Sequence, residues 1–233
     1  MKLVRLLANL GYGSRSEVQR FIRAGEITDD TGVVLRQIDV VPHDRIRWRG
    51  EVLDRPAPLV IVLNKPRDYT CSSEDPGRTI YDLLPPRFAR RNPTLNPIGR
   101  LDKDTTGLLL MSDDGKLLHK IIHPKSGCSK TYLVRLDRPL KGNEIELFAA
   151  GTLLLNSETR PLLPASLEVL GEKEARITLH EGRYHQVRRM FAAAGNHVLD
   201  LKRISIGGLE IPNDLEEGKW RVLGAEELRA IFI

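Results

Sequence analysis

Cysteine is scarce in this chain, and its two copies do not pair. Cys71 and Cys128 form no CxxC and no ligand spacing, which excludes a disulfide framework and a cysteine-built zinc site. The histidines show no metal-ligand spacing either, so no metal is expected. Long apolar runs are also missing, and no stretch approaches the roughly 20 residues of a membrane span. The apolar start, Leu3-Val4 and Leu6-Leu7-Ala8, is cut by Arg5 and Asn9 and is too short for a signal peptide. The expected location is cytoplasmic, with no membrane partner.

What is present is ordinary globular material. The 233 residues are 41% hydrophobic and 29% charged, enough for one large domain or two small ones with real cores. A net charge of +5 favours an anionic partner such as nucleic acid. Much of that excess sits at the start, where Lys2, Arg5, Arg15, Arg20 and Arg23 face the single acid Glu17.

Leu3, Leu6, Leu7 and Leu10 form one stripe of a short helix, broken by Gly11-Tyr12-Gly13. Ser14-x-x-Glu17 then reads as a capping box opening a second helix, with Val18, Phe21 and Ile22 inward and Ser16, Arg20 and Arg23 on the opposite face. Gly25 is its natural stop. A hairpin is predicted next, Ile27-Thr28 turning at Asp29–Gly32 into Val33-Val34-Leu35. Asp54-Arg55-Pro56-Ala57-Pro58 reads as a semi-rigid linker and sets the domain boundary, 1–55 against 56–233.

Beyond it, Val60–Leu63 is a strand buried on both faces, and 79–84 a short helix stopped by Pro85-Pro86. Arg87 to Pro93 reads as a mobile basic loop. A helix carries Leu117, Leu118, Ile121 and Ile122. Strands are expected at 130–136, 166–170, 175–179 and 198–206, and helices at 144–150, 187–194 and from Ala225. Strands and helices mix without regular alternation, so the fold class is α+β with a mixed, largely antiparallel sheet.

The stretch Gly99-Arg100-Leu101-Asp102-Lys103-Asp104-Thr105-Thr106-Gly107 leads straight into three leucines. It holds a carboxylate on the rim of a core, where a catalytic acid is both rigid and reachable. Each candidate has a structural alternative: an Asx-type turn for Asp102, a core aromatic for Tyr132, a solvated helix face for Arg188 and Arg189. Asp102-Lys103-Asp104-Thr105-Thr106 also fits the letters of a haloacid-dehalogenase-type phosphatase. That site needs an apolar strand directly before the first Asp and a distant acidic pair for Mg²⁺. Here Asn96–Arg100 precede it and Asp113-Asp114 lie too close, so that reading is rejected.

The first 50 residues, through Leu6–Gly11, Ser14–Glu17, Ile22–Gly25 and Thr28…Gly32-Val33-Val34, resemble the S4 RNA-binding domain. The resemblance implies that Arg5, Arg15, Ser16, Arg20 and Arg23 grip an RNA backbone through contacts that position without reading sequence. The acidic Asp29-Asp30 departs from that family's turn. Asn64-Lys65-Pro66, Gly99–Leu108, Lys130-Thr131-Tyr132 and Gly182–Met190, in that order, resemble the pseudouridine synthases of the RsuA family. That family breaks the C1′–N1 bond of a uridine in RNA, turns the uracil and rejoins it through C5, without cofactor or metal.

Carried over residue by residue, the resemblance makes Asp102 the catalytic carboxylate. It pairs Arg188 with Asp102, stacks Tyr132 on the uracil and gives Arg100 and Lys65 to RNA binding, with the uridine flipped out of its stack. His185 reads as structural or as a hydrogen-bond partner. Thr70–Pro76, Ser112–Gly115 and Gly182–Val198 are closest to the small-subunit (16S) rRNA enzymes. The expected partner is ribosomal RNA or a small-subunit ribonucleoprotein intermediate, and the expected state a monomer. A 23S rRNA target and a non-catalytic assembly protein stand as alternatives.

Overall fold

The computed structural model describes residues 2–72, 76–123 and 126–233, and it falls into two compact units. The first comprises Met1–Leu59, Leu84–Asn96 and Ser112–Asp114; the second comprises Val60–Leu83, Pro97–Met111 and Gly115–Ile233. Ser73, Glu74 and Asp75 of the 70–76 motif lie outside the described residues.

The first unit opens with α1 (Leu3–Asn9) and α2 (Arg15–Arg23). A helix as short as α1 is marginal alone, but Leu3, Leu6, Leu7 and Leu10 are all buried against Val18, Ile22, Ile27 and Ile46. Each such burial contributes about 1.5–3 kcal/mol. The capping box forms as expected. Ser14 Oγ accepts from the Glu17 amide at 3.3 Å, and the Glu17 carboxylate accepts from the Ser14 amide at 2.7 Å. These bonds hold the Glu17 carboxyl below its usual range. Gly11, at φ +87, closes α1; a Cβ there would lie 2.0 Å from the Arg87 carbonyl oxygen, so only glycine fits.

The expected hairpin forms: the Asp29 amide donates to the Val33 carbonyl at 2.9 Å, the Leu35 amide to the Ile27 carbonyl at 2.9 Å, and Thr28 bridges to Val34. Asp29 Oδ1 organises the turn by accepting from the amides of Thr31 and Val33. β1 (Ile27–Asp29) also pairs with β2 (Ile46–Trp48), with β3 (Glu51–Val52) outside it. The Arg87–Pro93 segment departs from expectation. Pro86–Arg90 is a 3-10 turn, and Arg87 forks onto Asp54 at 2.5 and 2.9 Å. Arg91 is buried, donating to the Arg55 carbonyl and pairing with buried Asp113 at 3.4 Å. Two of its three basic side chains are thus internal ties, which a loop free to move could not provide.

In the second unit, β4 (Val60–Lys65) and β6 (Thr106–Ser112) are buried along their whole length, as continuous apolar runs in central strands should be. They join β7 (Lys130–Leu136), β8 (Ser166–Gly171), β9 (Glu174–Leu179), β10 (Val198–Ile206) and β12 (Trp220–Val222) in the order β12-β4-β6-β10-β7-β9-β8. Two short strands, β5 (Asn96–Ile98) and β11 (Leu209–Glu210), pair with β6 and β10. β10 runs parallel to β6 and antiparallel to β7, so the sheet is mixed, as the α+β reading requires.

The helices are α3 (Gly115–Ile122), α4 (Glu144–Ala149), α5 (Gln186–Ala193) and α6 (Ala225–Ala230). The helix expected at 79–84 is a 3-10 turn, Ile80–Leu83. One core cluster contains Val134, Ile177, Phe148 and Phe191, the two phenylalanines edge to face at 5.2 Å. Another contains Val62, Leu108, Leu110 and Ile121. Among the described residues no helix is long and apolar enough to cross a membrane.

Candidate active site

The turn before β6 is held from beneath. Lys65, at the end of β4, is fully buried, and its ammonium donates to the carbonyls of Pro66 at 3.1 Å, Lys103 at 3.2 Å and Thr105 at 2.9 Å. Burial pulls the lysine below its ordinary pKa, an effect opposed by the nearby carboxylates of Asp102, Asp104 and Asp68. The Asp68 amide adds a bond to the Lys103 carbonyl at 2.9 Å, and the Thr105 amide closes the turn on Asp102. The expectation that Lys65 contacts RNA is therefore corrected. Its charge is spent on backbone carbonyls inside the protein, out of reach of a phosphate.

Arg203, on β10, does the same from the side. Nearly buried, it donates from Nε to the Leu108 carbonyl at 2.8 Å and from Nη2 to the Gly99 carbonyl at 3.0 Å. It thereby joins the two ends of the 99–108 stretch. The register pairs Arg203 with Gly107. Gly107 has φ +98, and a Cβ there would lie 2.2 Å from the Arg203 carbonyl oxygen, so this close parallel pairing demands glycine. Sequence reading missed Arg203. The available signal was a cation standing in line with Leu201 and Ser205 on the buried face of an alternating strand.

Between these supports opens a cleft of about 630 Å³, lined among others by Arg100, Asp102, Lys103, Tyr132, Tyr184 and His185. The Asp102 side chain is 31% exposed, rooted in a rigid turn yet reachable. Half-buried Tyr132 lies in β7 opposite Arg203 and Ile177 and reaches the cleft from the sheet. Arg100 is exposed at its wall. Lys130 also borders it, buried, with its ammonium on the Cys128 carbonyl at 2.6 Å and its pKa lowered by burial. Cys71 Sγ accepts from the Leu101 amide at 3.4 Å, and burial pushes its thiol up.

The partner of Asp102 differs from the expected one. Arg188, on α5, pairs with Asp104 at 2.7 Å and donates to the Val198 carbonyl at 2.9 Å. The group facing Asp102 is His185, whose Nε2 lies 3.4 Å from Oδ1. His185 precedes α5 in the left-handed conformation at φ 48, which turns its ring toward the cleft. α5 places Arg188 nearly one turn further along, so the arginine meets the second acid of the turn instead of the first. Arg189 is no solvated face: it pairs with Glu158 at 2.8 Å and donates to the Asn156 carbonyl.

In the first unit, Arg5, Arg15, Ser16, Arg20 and Arg23 are all exposed. Ser16 Oγ bonds Ser14 Oγ at 3.1 Å, and Arg23 Nε donates to the Gln19 carbonyl at 3.3 Å. Among the described residues no group of three His, Cys, Asp or Glu side chains could hold a metal ion.

Comparison with known proteins shows what the chain is similar to. A family model described as RNA pseudouridylate synthase matches residues 59–193. The ribosomal small subunit pseudouridine synthase A of Yersinia pestis is 41% identical over 99% of this chain and 98% of its own length. The protein of that name from Escherichia coli is also 41% identical, over 99% of this chain and 100% of its own. A solved crystal structure of a pseudouridylate synthase superposes with a TM-score of 0.71 at 37% identity, covering 99% of each chain.

Proposed function

The chain belongs to the RNA pseudouridylate synthase family, and from that membership we propose that it isomerises one uridine of small-subunit (16S) ribosomal RNA to pseudouridine, with Asp102 as the catalytic carboxylate. The observation that carries the residue assignment is the placement of Asp102 on a braced turn at the mouth of the cleft.

The chemistry balances without an outside reagent. The C1′–N1 bond breaks, C1′ joins C5, the C5 proton leaves, and N1 takes up a proton. Hydrolysis of a glycoside uses two carboxylates because one must protonate the leaving group and the other must activate water. Here the leaving base is retained and water must be kept out, so a single carboxylate serves at the sugar or base. The uridine is flipped out of its stack, at a cost of a few kcal/mol. Tyr132 stacks on the extruded uracil, and Arg100 holds the strand beside it. Arg188 acts through Asp104, fixing the turn that carries Asp102. Residues 1–55 act as the S4-type RNA-binding domain, with the arginines of α2 on the phosphate backbone.

The test offers 16S and 23S transcripts tritiated at uracil C5, with and without small-subunit proteins. Pseudouridine formation expels that hydrogen, so release to water counts turnovers. Release from 16S material is expected from the wild-type chain. Asp102→Asn is expected to abolish it while RNA affinity stays nearly unchanged. Release confined to 23S moves the target, and substantial release by Asp102→Asn removes the role assigned to that residue. Tight binding without release from either RNA favours an assembly protein.

A further inference from the structure

Tyr184 is the most exposed aromatic side chain of the described residues, at 74%, and it stands on the lining of the catalytic cleft. Among the described residues this open aromatic has one ring neighbour. Its ring lies flat on His185, centroids 3.9 Å apart and planes inclined by 17°. His185 in turn faces Asp102. One face of the tyrosine ring is thus backed by imidazole and points, through it, to the catalytic carboxylate.

The stack sits on a fixed base. The Arg189 guanidinium donates to the Tyr184 carbonyl at 3.2 Å and is itself held by Glu158. The Arg183 amide donates to Gln186 Oε1 at 2.9 Å. A pre-ordered ring loses little freedom when a flat partner settles on it, which is the property of a stacking platform.

The surrounding charge identifies the flat partner. Arg183 and Arg189 are neutralised by Glu158 and Glu181. Arg100 and Lys103, on the same cleft, have no carboxylate ion pair among the described residues. A flat apolar platform beside two unspent cations fits a nucleobase still attached to its phosphates.

We infer that Tyr184, backed by His185, is the subsite for the base immediately flanking the reacting uridine, and that it contributes to choosing which uridine enters. The inference rests on the isomerase reading given above. It separates two jobs: Tyr132 meets the extruded uracil, and Tyr184 meets the neighbour that stays in the strand.

The experiment uses the full-length chain and an RNA fragment spanning the uridine located by tritium release. In it the base on the 5′ or the 3′ flank is removed, leaving an abasic residue. Tyr184→Ala should raise KM by roughly ten- to a hundredfold, with kcat at saturating RNA held within about twofold, and Tyr184→Phe should behave as wild type. At one flank the abasic residue should impose the same rise on the wild-type enzyme and nothing further on Tyr184→Ala. Equal abasic penalties in wild type and Tyr184→Ala at both flanks overturn the inference. So does a fall in kcat with KM unmoved, which would put Tyr184 on the reacting base.

A 2-aminopurine at the same flank or, where no tritium is released, stepped along a small-subunit RNA fragment that binds the protein, reads the stack without turnover. Quenching on binding to wild type and Tyr184→Phe but not to Tyr184→Ala supports the platform even when no tritium is released, an outcome that removes only the isomerase reading. Equal quenching by all three removes the platform even when release is normal.

Discussion

The cations of α2 and the buried or paired cations around the cleft belong to the same residue types and do opposite things. Arg15, Arg20 and Arg23 stand exposed and form no ion pair among the described residues. Lys65, Arg203, Arg183 and Arg189 have every strong interaction turned inward, onto carbonyls or carboxylates. Buried Arg91 of the first unit also turns its contacts inward, onto Asp113 and the Arg55 carbonyl, although its Nε and Nη1 meet no acceptor among the described residues. A basic side chain with free donors can offer them to phosphate; one whose donors are occupied serves the fold. Net charge alone hides this division, because both kinds count equally toward +5.

The largest effect expected from breaking the tied set is at Arg91. Arg91→Met leaves buried Asp113 without its cation and should cost about 3–5 kcal/mol of unfolding free energy, read from urea titration. Exposed Arg90, one residue earlier, should tolerate alanine with no shift in the midpoint. That contrast separates a structural arginine from a surface one within a single turn.

Lys65→Met is next. It strands three carbonyl acceptors under the Asp102 turn, and a loss of about 2–4 kcal/mol is expected. Its pH dependence carries a second signature. Burial lowers the folded-state pKa of Lys65 below the unfolded value of 10.5. Between the two values the unfolded chain binds more protons than the folded one, so this residue makes stability rise with pH in that window. The rise should be smaller in Lys65→Met than in wild type, measured by urea midpoints from neutrality upward to pH 10.5. A wild-type slope no steeper than the variant's would show that Lys65 does not feel this burial.

The free set should respond in binding, with stability unmoved. Arg20→Ala combined with Arg23→Ala should weaken RNA binding and reduce the salt slope by about 1 for each phosphate no longer neutralised, while the urea midpoint stays in place. An unchanged salt slope would remove the α2 face from the RNA interface.

Much of this was legible beforehand, because it is written in local pattern. The leucine stripe of α1, the Ser14–Glu17 capping box, the apolar runs of β4 and β6, and β7 and β10 residue for residue all follow from periodicity and capping chemistry. Motif order marked the Asp102 turn and Tyr132 as neighbours in space, and both line the cleft. What was not legible was the identity of most partners far away in the chain. Nothing local announced that Ile27–Asp29, besides its hairpin with 33–35, would take a second strand from residues 46–48, a pairing that buries Ile46 in the core.

The sequence by itself determined the helices, the central strands, the family and the acid at the rim of the core, since each is encoded by residues adjacent along the chain or by an ordered set of short motifs. Only the tertiary structure decided which charges are spent and which are free. It buried Lys65 beneath the turn, gave Arg188 to Asp104 and His185 to Asp102, and left Tyr184 open on the cleft. The reason is physical: a charged side chain is assigned by desolvation and by the donors and acceptors that folding brings within about 3–4 Å, and those come from distant segments that no local period records.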